Sequence, residues 1–138
     1  MNIRLTPLKH IVGELGDVFH IMRKDSPDYP GFGEVYISTV KEAAIKGWKK
    51  HYQMTLNIVV PIGKILFVLY DECEKEFREI ILSPENYQRL TVPPGTWMAF
   101  KGLAEGESLL VNFADVPHDP AEAEGLELIN SLIPYEWK

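Results

Sequence analysis

Short runs of β-branched and aromatic residues, separated by clusters of Gly, Pro, Asp and Asn, recur along most of the chain. They read VFHIM at 18–22, EVYISTV at 34–40, LNIVVPI at 56–62, KILFVLYD at 64–71, FREIIL at 77–82, TWMAF at 96–100 and SLLVNFA at 108–114. Apolar runs this short, bounded by turn residues, predict an all-β sandwich or barrel. KGWKKH at 46–51 adds a strand with polar residues two apart, which face the same side. Pro61, Ile62 and Gly63 break two of the runs, and because proline cannot donate to a ladder the break predicts a tight hairpin near Gly63. DECEKE at 71–76 predicts a solvated turn, SPENYQRL at 83–90 a loop before the next short strand, and PHDPAEAEGLE at 117–127 a long polar connection. Only AEAEGLELI at 121–129 has helix-friendly composition, and Gly125 weakens it.

Composition narrows the partners. A chain of 138 residues with no internal repeat or second composition regime predicts one domain, 1–138, large enough to bury a core without a staple. The net charge of −6, with no basic cluster beyond Lys46, Lys49 and Lys50, argues against nucleic acid while leaving room for a nucleotide-sized anion. Cys73 is the single cysteine, so an internal disulfide and a multi-cysteine zinc site are excluded, and a reducing cytoplasm fits. The opening stretch MNIRLTPLKHIVGELGD holds no apolar run of signal or spanning length, so the expectation is a cytoplasmic protein with no membrane partner.

The candidate chemistry centres on KGWKKH and VPPGTWMAF. Small β-barrels that hold a metal use two histidines at i and i+2, a carboxylate a few residues on, and a third histidine from a later strand. Here the first pair reads Lys49 and His51, Thr55 or Leu56 falls at the acidic position, and Met98 stands in the later element. With one ligand of four left, the expectation is no native metal, and no cofactor is implied. Cys73 sits between Glu72 and Glu74, whose carboxylates oppose a thiolate, so a cysteine nucleophile is disfavoured.

Several stretches in order carry a family likeness: FGEVYISTV (32–40), KGWKKH (46–51), PIGKILFVLYD (61–71), VPPGTWMAFKGL (92–103), LLVNFAD (109–115) and SLIPYEW (131–137). Over residues 14–137 the chain resembles the nucleotide-sugar 3,5-epimerase family that includes dTDP-4-dehydrorhamnose 3,5-epimerase. The KGWKKH strand also resembles the GFHAH strand of the sugar 3,4-ketoisomerases. The resemblance implies a single RmlC-like cupin, a jelly-roll β-barrel, acting as a homodimer on a nucleotide-linked 4-keto-6-deoxy sugar in surface-polysaccharide biosynthesis. It also implies a histidine base on the KGWKKH strand and a tyrosine acid on a later strand. Residue by residue, the histidine falls on Lys49, the tyrosine on Val111, and a second histidine on Met98.

Two readings therefore stay open: an epimerase or isomerase working by metal-free proton transfer through an enolate, or an inactive barrel that binds a sugar nucleotide or small carbohydrate. In the first, Lys49 and His51 are the catalytic candidates, either Lys49 as a desolvated base or His51 as base with Lys49 stabilising the enolate oxygen. In the second, Lys49 points to the barrel mouth and His51 is a satisfied, partly buried side chain. Lys46 is the candidate diphosphate contact, as a point charge rather than a fork. Trp97 and Trp48 are stacking candidates, Trp97 and Met98 are expected beside Lys49 and His51, and Tyr36, Asn57 and Asn112 are polar pocket candidates inside apolar strands. His10, His20 and His118 are read as surface or locally bonded residues.

Overall fold

A computed structural model covers all 138 residues. Twelve strands follow in order: β1 (Arg4–Pro7), β2 (His10–Ile11), β3 (Val18–Phe19), β4 (Glu34–Lys41), β5 (Ile45–His51), β6 (Leu56–Ile62), β7 (Ile65–Asp71), β8 (Glu76–Leu82), β9 (Gln88–Val92), β10 (Trp97–Gly102), β11 (Glu107–Ala114) and β12 (Ala123–Gly125). The ladders build two five-stranded antiparallel sheets, ordered β1-β9-β6-β11-β4 and β12-β5-β10-β7-β8, with β2 and β3 as a separate hairpin. This is the all-β jelly-roll that the strand pattern anticipates.

Three local expectations are corrected. Gly63 does not close a hairpin. β6 pairs with β9 and β11, while β7 pairs with β8 and β10, so the chain crosses from one sheet to the other there, with Gly63 at φ +85°. Pro61 sits in central β6 because the ladder to β11 steps from Leu109–Ile62 to Val111–Val59, a bulge where a missing N–H costs no ladder bond. The helix-friendly stretch at 121–129 contributes only the end of one 3₁₀ turn, Pro120–Glu122, and then strand β12, which adds to the free edge of β5. Edge pairing and Gly125 override the weak helix propensity. Part of the stretch read as a loop at 83–90 is also extended, since Gln88–Val92 pairs with both β1 and β6.

Two cores result. The space between the sheets is packed at one end by Leu56, Ile58, Val60, Ile65, Phe67, Leu69, Leu82, Leu90, Val92 and Leu110, and is open at the other. The outer face of the second sheet carries Trp48, Val68, Tyr70, Trp97 and Ala99, roofed by Leu126, Leu128, Ile133, Tyr135 and Trp137 of the C-terminal segment.

What lets β5 serve both cores is a bulge. Against β10 its register runs Lys50–Trp97, Lys49–Met98, then Lys46–Phe100, so Gly47 and Trp48 together oppose Ala99. The extra residue places Lys46 and Lys49, three apart, on the same inner face as Met98 and Phe100, and sends Trp48 outward. Gly47 is required there, because a Cβ would overlap the Ala99 Cβ. Gly47→Ala is expected to lower stability by about 1–3 kcal/mol through forced overpacking. Urea unfolding checks this, and an unchanged midpoint would show that the bulge tolerates a side chain.

Candidate functional site

The open end of the barrel is a cavity of about 960 Å³. Alternate residues of five strands line it: Tyr36 and Ser38 from β4, Lys46, Lys49 and His51 from β5, Leu56 and Ile58 from β6, Met98 and Phe100 from β10, and Leu110 and Asn112 from β11. His118, Pro120 and the stretch Ala123–Glu127 close one side. Its floor is apolar and its polar groups converge from opposite sheets, the usual make-up of a small-molecule site.

Of the residues singled out from sequence, Tyr36, Lys46, Lys49, His51, Met98 and Asn112 meet in this cavity. Asn57 and Trp97 do not. Each is one residue out of step with the lining set. Asn57 lies between Leu56 and Ile58, so its side chain leaves on the far side and accepts a hydrogen bond from Thr91 Oγ1 at 2.7 Å. Trp97 precedes Met98 and packs in the outer core, where its Nε1–H donates to Glu72 Oε1 at 3.3 Å. His118, read as a surface residue, stands at the cavity rim.

His51 is buried and has a partner that its neighbourhood in sequence does not reveal. Its Nδ1 bonds to the Glu122 carboxylate, from the 3₁₀ turn that leads into β12. A carboxylate only accepts, so Nδ1 carries a proton toward Glu122, and in the neutral ring Nε2 is the nitrogen left with a lone pair. The second Glu122 oxygen accepts the backbone N–H groups of Gln53 at 3.1 Å and Met54 at 3.2 Å. Burial pushes the Glu122 carboxyl up, but the His51 bond and these two N–H groups outweigh it and hold the group below the usual carboxylate range.

Across the cavity, Tyr36 and Asn112 are register partners on β4 and β11. Asn112 Oδ1 accepts the Asn57 backbone N–H at 2.9 Å, which fixes the amide so that Nδ2 donates to the Tyr36 hydroxyl at 3.0 Å. The phenol's own proton is thus free to point elsewhere. Burial raises the Tyr36 pKa, the Asn112 bond lowers it in part, and the charges of Glu34 and Glu122 raise it further, so the phenol holds its proton at neutral pH. No tyrosine stands on β11; the tyrosine in the cavity is Tyr36, one strand over on β4. Val111 faces away from the cavity, and the inward residue beside it, Asn112, positions Tyr36.

Cations flank this pair. Lys46 Nζ donates to Ser38 Oγ at 3.2 Å and lies 6.0 Å from the Phe100 ring centroid. Lys49 is exposed, and its ammonium makes no hydrogen bond or ion pair within the chain. A desolvated lysine base needs burial, so Lys49 suits a cationic role better than a basic one. No group of three His, Cys, Asp or Glu side chains converges anywhere in the molecule.

No protein-family model matches the chain. A dTDP-sugar isomerase of Desulfovibrio desulfuricans G20 is 37% identical in sequence and superposes with a TM-score of 0.94 over 99% of this chain and 90% of that one. The chain belongs to the nucleotide-sugar epimerase and isomerase family. The family's fold recurs in a dTDP-4-dehydrorhamnose 3,5-epimerase of Bacillus anthracis str. Ames, solved with TDP and pyrophosphate bound, at TM-score 0.84 and 21% identity over 99% of this chain and 85% of that one. Among curated proteins, the probable low-salt glycan biosynthesis epimerase Agl13 of Haloferax volcanii is 23% identical over 98% of this chain and 88% of its own length.

The Glu122 contact makes a testable statement about stability. Its folded pKa lies below the unfolded value, so its stabilisation is present above the ordinary Glu range and is lost as pH falls through the depressed folded value. Glu122→Ala is expected to cost on the order of 1–3 kcal/mol at neutral pH by orphaning buried donors. The gap between parent and variant should narrow below about pH 4.3. Denaturant midpoints across that range check it, and a gap independent of pH would contradict the assignment.

Proposed function

We propose that this protein epimerises or isomerises a nucleotide-linked 4-keto-6-deoxy sugar by proton transfer through an enolate, without a metal. The observation that carries the reading is the Glu122–His51 pair facing a cavity that also holds a protonated Tyr36. His51 Nε2 takes the proton from the carbon beside the ketone, leaving the electron pair in the enolate. Lys49 meets the developing negative charge on the enolate oxygen, where a cation acts on the transition state more than on the ketone. Tyr36, on the opposite sheet, returns a proton to carbon, and a proton delivered from the other wall gives the inverted centre. Lys46 holds the diphosphate as a point charge at the mouth.

The reading as a barrel that retains its pocket and lacks a catalyst loses its main support. It rested on the want of a carboxylate and a tyrosine near His51, and the cavity offers candidates for both, Glu122 bonded to His51 and Tyr36 on the facing sheet. Solved relatives include a dTDP-sugar isomerase and a 3'-monoepimerase bound to dTDP-quinovose, and Agl13 is a probable glycan-biosynthesis epimerase, which supports a nucleotide-sugar substrate and a place in glycan assembly. A homodimer is part of the proposal. Val35 and Ile37 on edge strand β4, with Phe32 and Ile62 nearby, are 50–61% exposed on the outer face of the first sheet, the kind of apolar face that a second copy covers. A cytoplasmic setting fits the exposed, free Cys73. No helix is long and apolar enough to cross a membrane.

Solvent deuterium incorporation into a dTDP-linked 4-keto-6-deoxy sugar tests the chemistry, because only an enolising enzyme labels the carbon. The parent is expected to incorporate label, and His51→Gln and Tyr36→Phe to slow it by roughly 10²–10⁴-fold each. A parent that binds the sugar nucleotide without exchanging any carbon-bound proton would overturn the catalytic reading. Titration calorimetry tests the charge contacts. Lys46→Ala and Lys49→Ala should each weaken binding of a nucleoside diphosphate, with the loss shrinking as salt is raised, since such contacts are screened over about 8 Å at physiological ionic strength. Variants that bind like the parent would remove both lysines from the site.

A further inference from the structure

The two halves of the His51–Glu122 pair come from distant parts of the chain, yet both are tied to one contact on the opposite side of the sheet. Trp48, three residues before His51, has its backbone N–H and carbonyl bonded to Leu126, each at 3.0 Å. Leu126 follows Glu122 by four residues, and between them β12 pairs Ala123, Glu124 and Gly125 with His51, Lys50 and Lys49. The 3₁₀ turn bearing Glu122 pairs with no other strand; besides β12 it is held by the Tyr52 N–H, which donates to the Glu122 carbonyl at 2.7 Å, and by the Gln53 and Met54 N–H groups on its carboxylate. Beyond Leu126 the chain has no regular structure, and it is anchored by side chains: Ile133 is buried at 2% exposure, and Tyr135 and Trp137 pack against the Trp48 indole with centroids 6.2 and 6.0 Å away. Tyr135 and Trp137 also meet edge to face at 4.7 Å, and the Tyr135 hydroxyl donates to Glu79 Oε1 at 2.5 Å, which ties the segment to β8 at the far edge of the sheet.

We propose that the Ile133–Tyr135–Trp137 cluster is a latch that sets the spacing of His51 and Glu122 from the outer face of the sheet, making Trp137 a positioning residue for the cavity it does not touch. β12 is three residues long and lies at a sheet edge, where ladder bonds alone leave a strand free to fray. The aromatic packing on Trp48 closes that freedom: the strand that carries His51 and the segment that carries Glu122 are pressed against the same indole. Loosening the latch lets β12 peel from β5. That separates the carboxylate from Nδ1 and frees the imidazole to turn its lone pair away from the cavity.

The inference rests on His51 being the base of the proposed reaction, and its test reads the His51–Glu122 bond directly as well as turnover. In ¹⁵N-labelled parent protein the His51 ring Nδ1–H should give a downfield, exchange-protected resonance, assigned by its absence in His51→Gln. Trp137→Ala should broaden or abolish it and slow deuterium incorporation by roughly 10- to 100-fold with KM nearly unchanged, the cost of a misplaced catalytic group. Trp137→Phe should restore both. If Trp137→Ala fails to fold, Trp137→Leu, which keeps apolar volume, is read by the same two measures. A Trp137 variant that is folded and keeps the parent resonance overturns the latch whatever its activity. A parent that shows the resonance, lost in Trp137→Ala, but exchanges no carbon-bound proton leaves the latch standing and refutes the reaction instead.

Discussion

The site depends on β5 carrying one more residue than β10 across from Ala99. A regular strand would alternate strictly, and Lys46 and Lys49, three apart, would fall on opposite faces. The bulge at Gly47 and Trp48 breaks the alternation once. Below it, Lys46 faces the cavity. Above it, Lys49 and His51 do, and the displaced Trp48 becomes the centre of the outer core. Bulges gather beside functional sites because they re-aim side chains without disturbing the rest of a sheet. Here the same device also connects the interior chemistry to the packing outside.

Much of the fold was legible because it is written in short apolar runs. Val35 to Val40, Leu56 to Ile62, Leu66 to Tyr70 and Leu109 to Phe113 appear as strands close to where the residue pattern puts them. What escaped was decided by long-range pairing. β1 includes Pro7 and β12 is only Ala-Glu-Gly, and neither has a strand signature of its own; each is extended because a neighbour offers a free edge. The crossing at Gly63 was read as a hairpin because a glycine between two apolar runs serves either purpose. Only the partners of β6 and β7, far along the chain, distinguish the two.

The site was legible in part for a similar reason. Spacing of two along one strand places Lys49 with His51, and the Pro-Pro-Gly turn brings Met98 opposite Lys49, so these follow from local geometry. Trp97 and Asn57 fail by one residue, a slip that sends a side chain to the other face. Glu122 lies 71 residues from His51 in a stretch whose composition suggests a solvated connection, and nothing local marks it. Two acidic residues at 122 and 124 look alike in sequence. Yet Glu122 turns inward to His51, while Glu124 turns outward to Lys50 at 3.2 Å, because Glu122 belongs to the 3₁₀ turn that precedes β12 and so lies outside the strand's alternation, which would otherwise put both on one face.

Replacing the residues that the family uses need not abolish the arrangement of charges that proton transfer requires. Enolisation needs a base on one side of the carbon, a donor on the other and a cation for the oxygen, and none of these is tied to one position in a barrel whose walls all face the same space. In the proposed reaction the base stands two residues further along β5 than the histidine the family resemblance implies, the phenol comes from β4 instead of β11, and Lys49 stands at the position the resemblance gives to the histidine. Asn112 shows how such a shift is supported. Its amide is locked by the Asn57 backbone N–H, and it hands its own donor to Tyr36, so the phenol is oriented by a residue on the strand where the tyrosine was expected. Losing a group at one position of such a barrel is weak evidence of lost chemistry until the inward residues of the neighbouring strands have been counted.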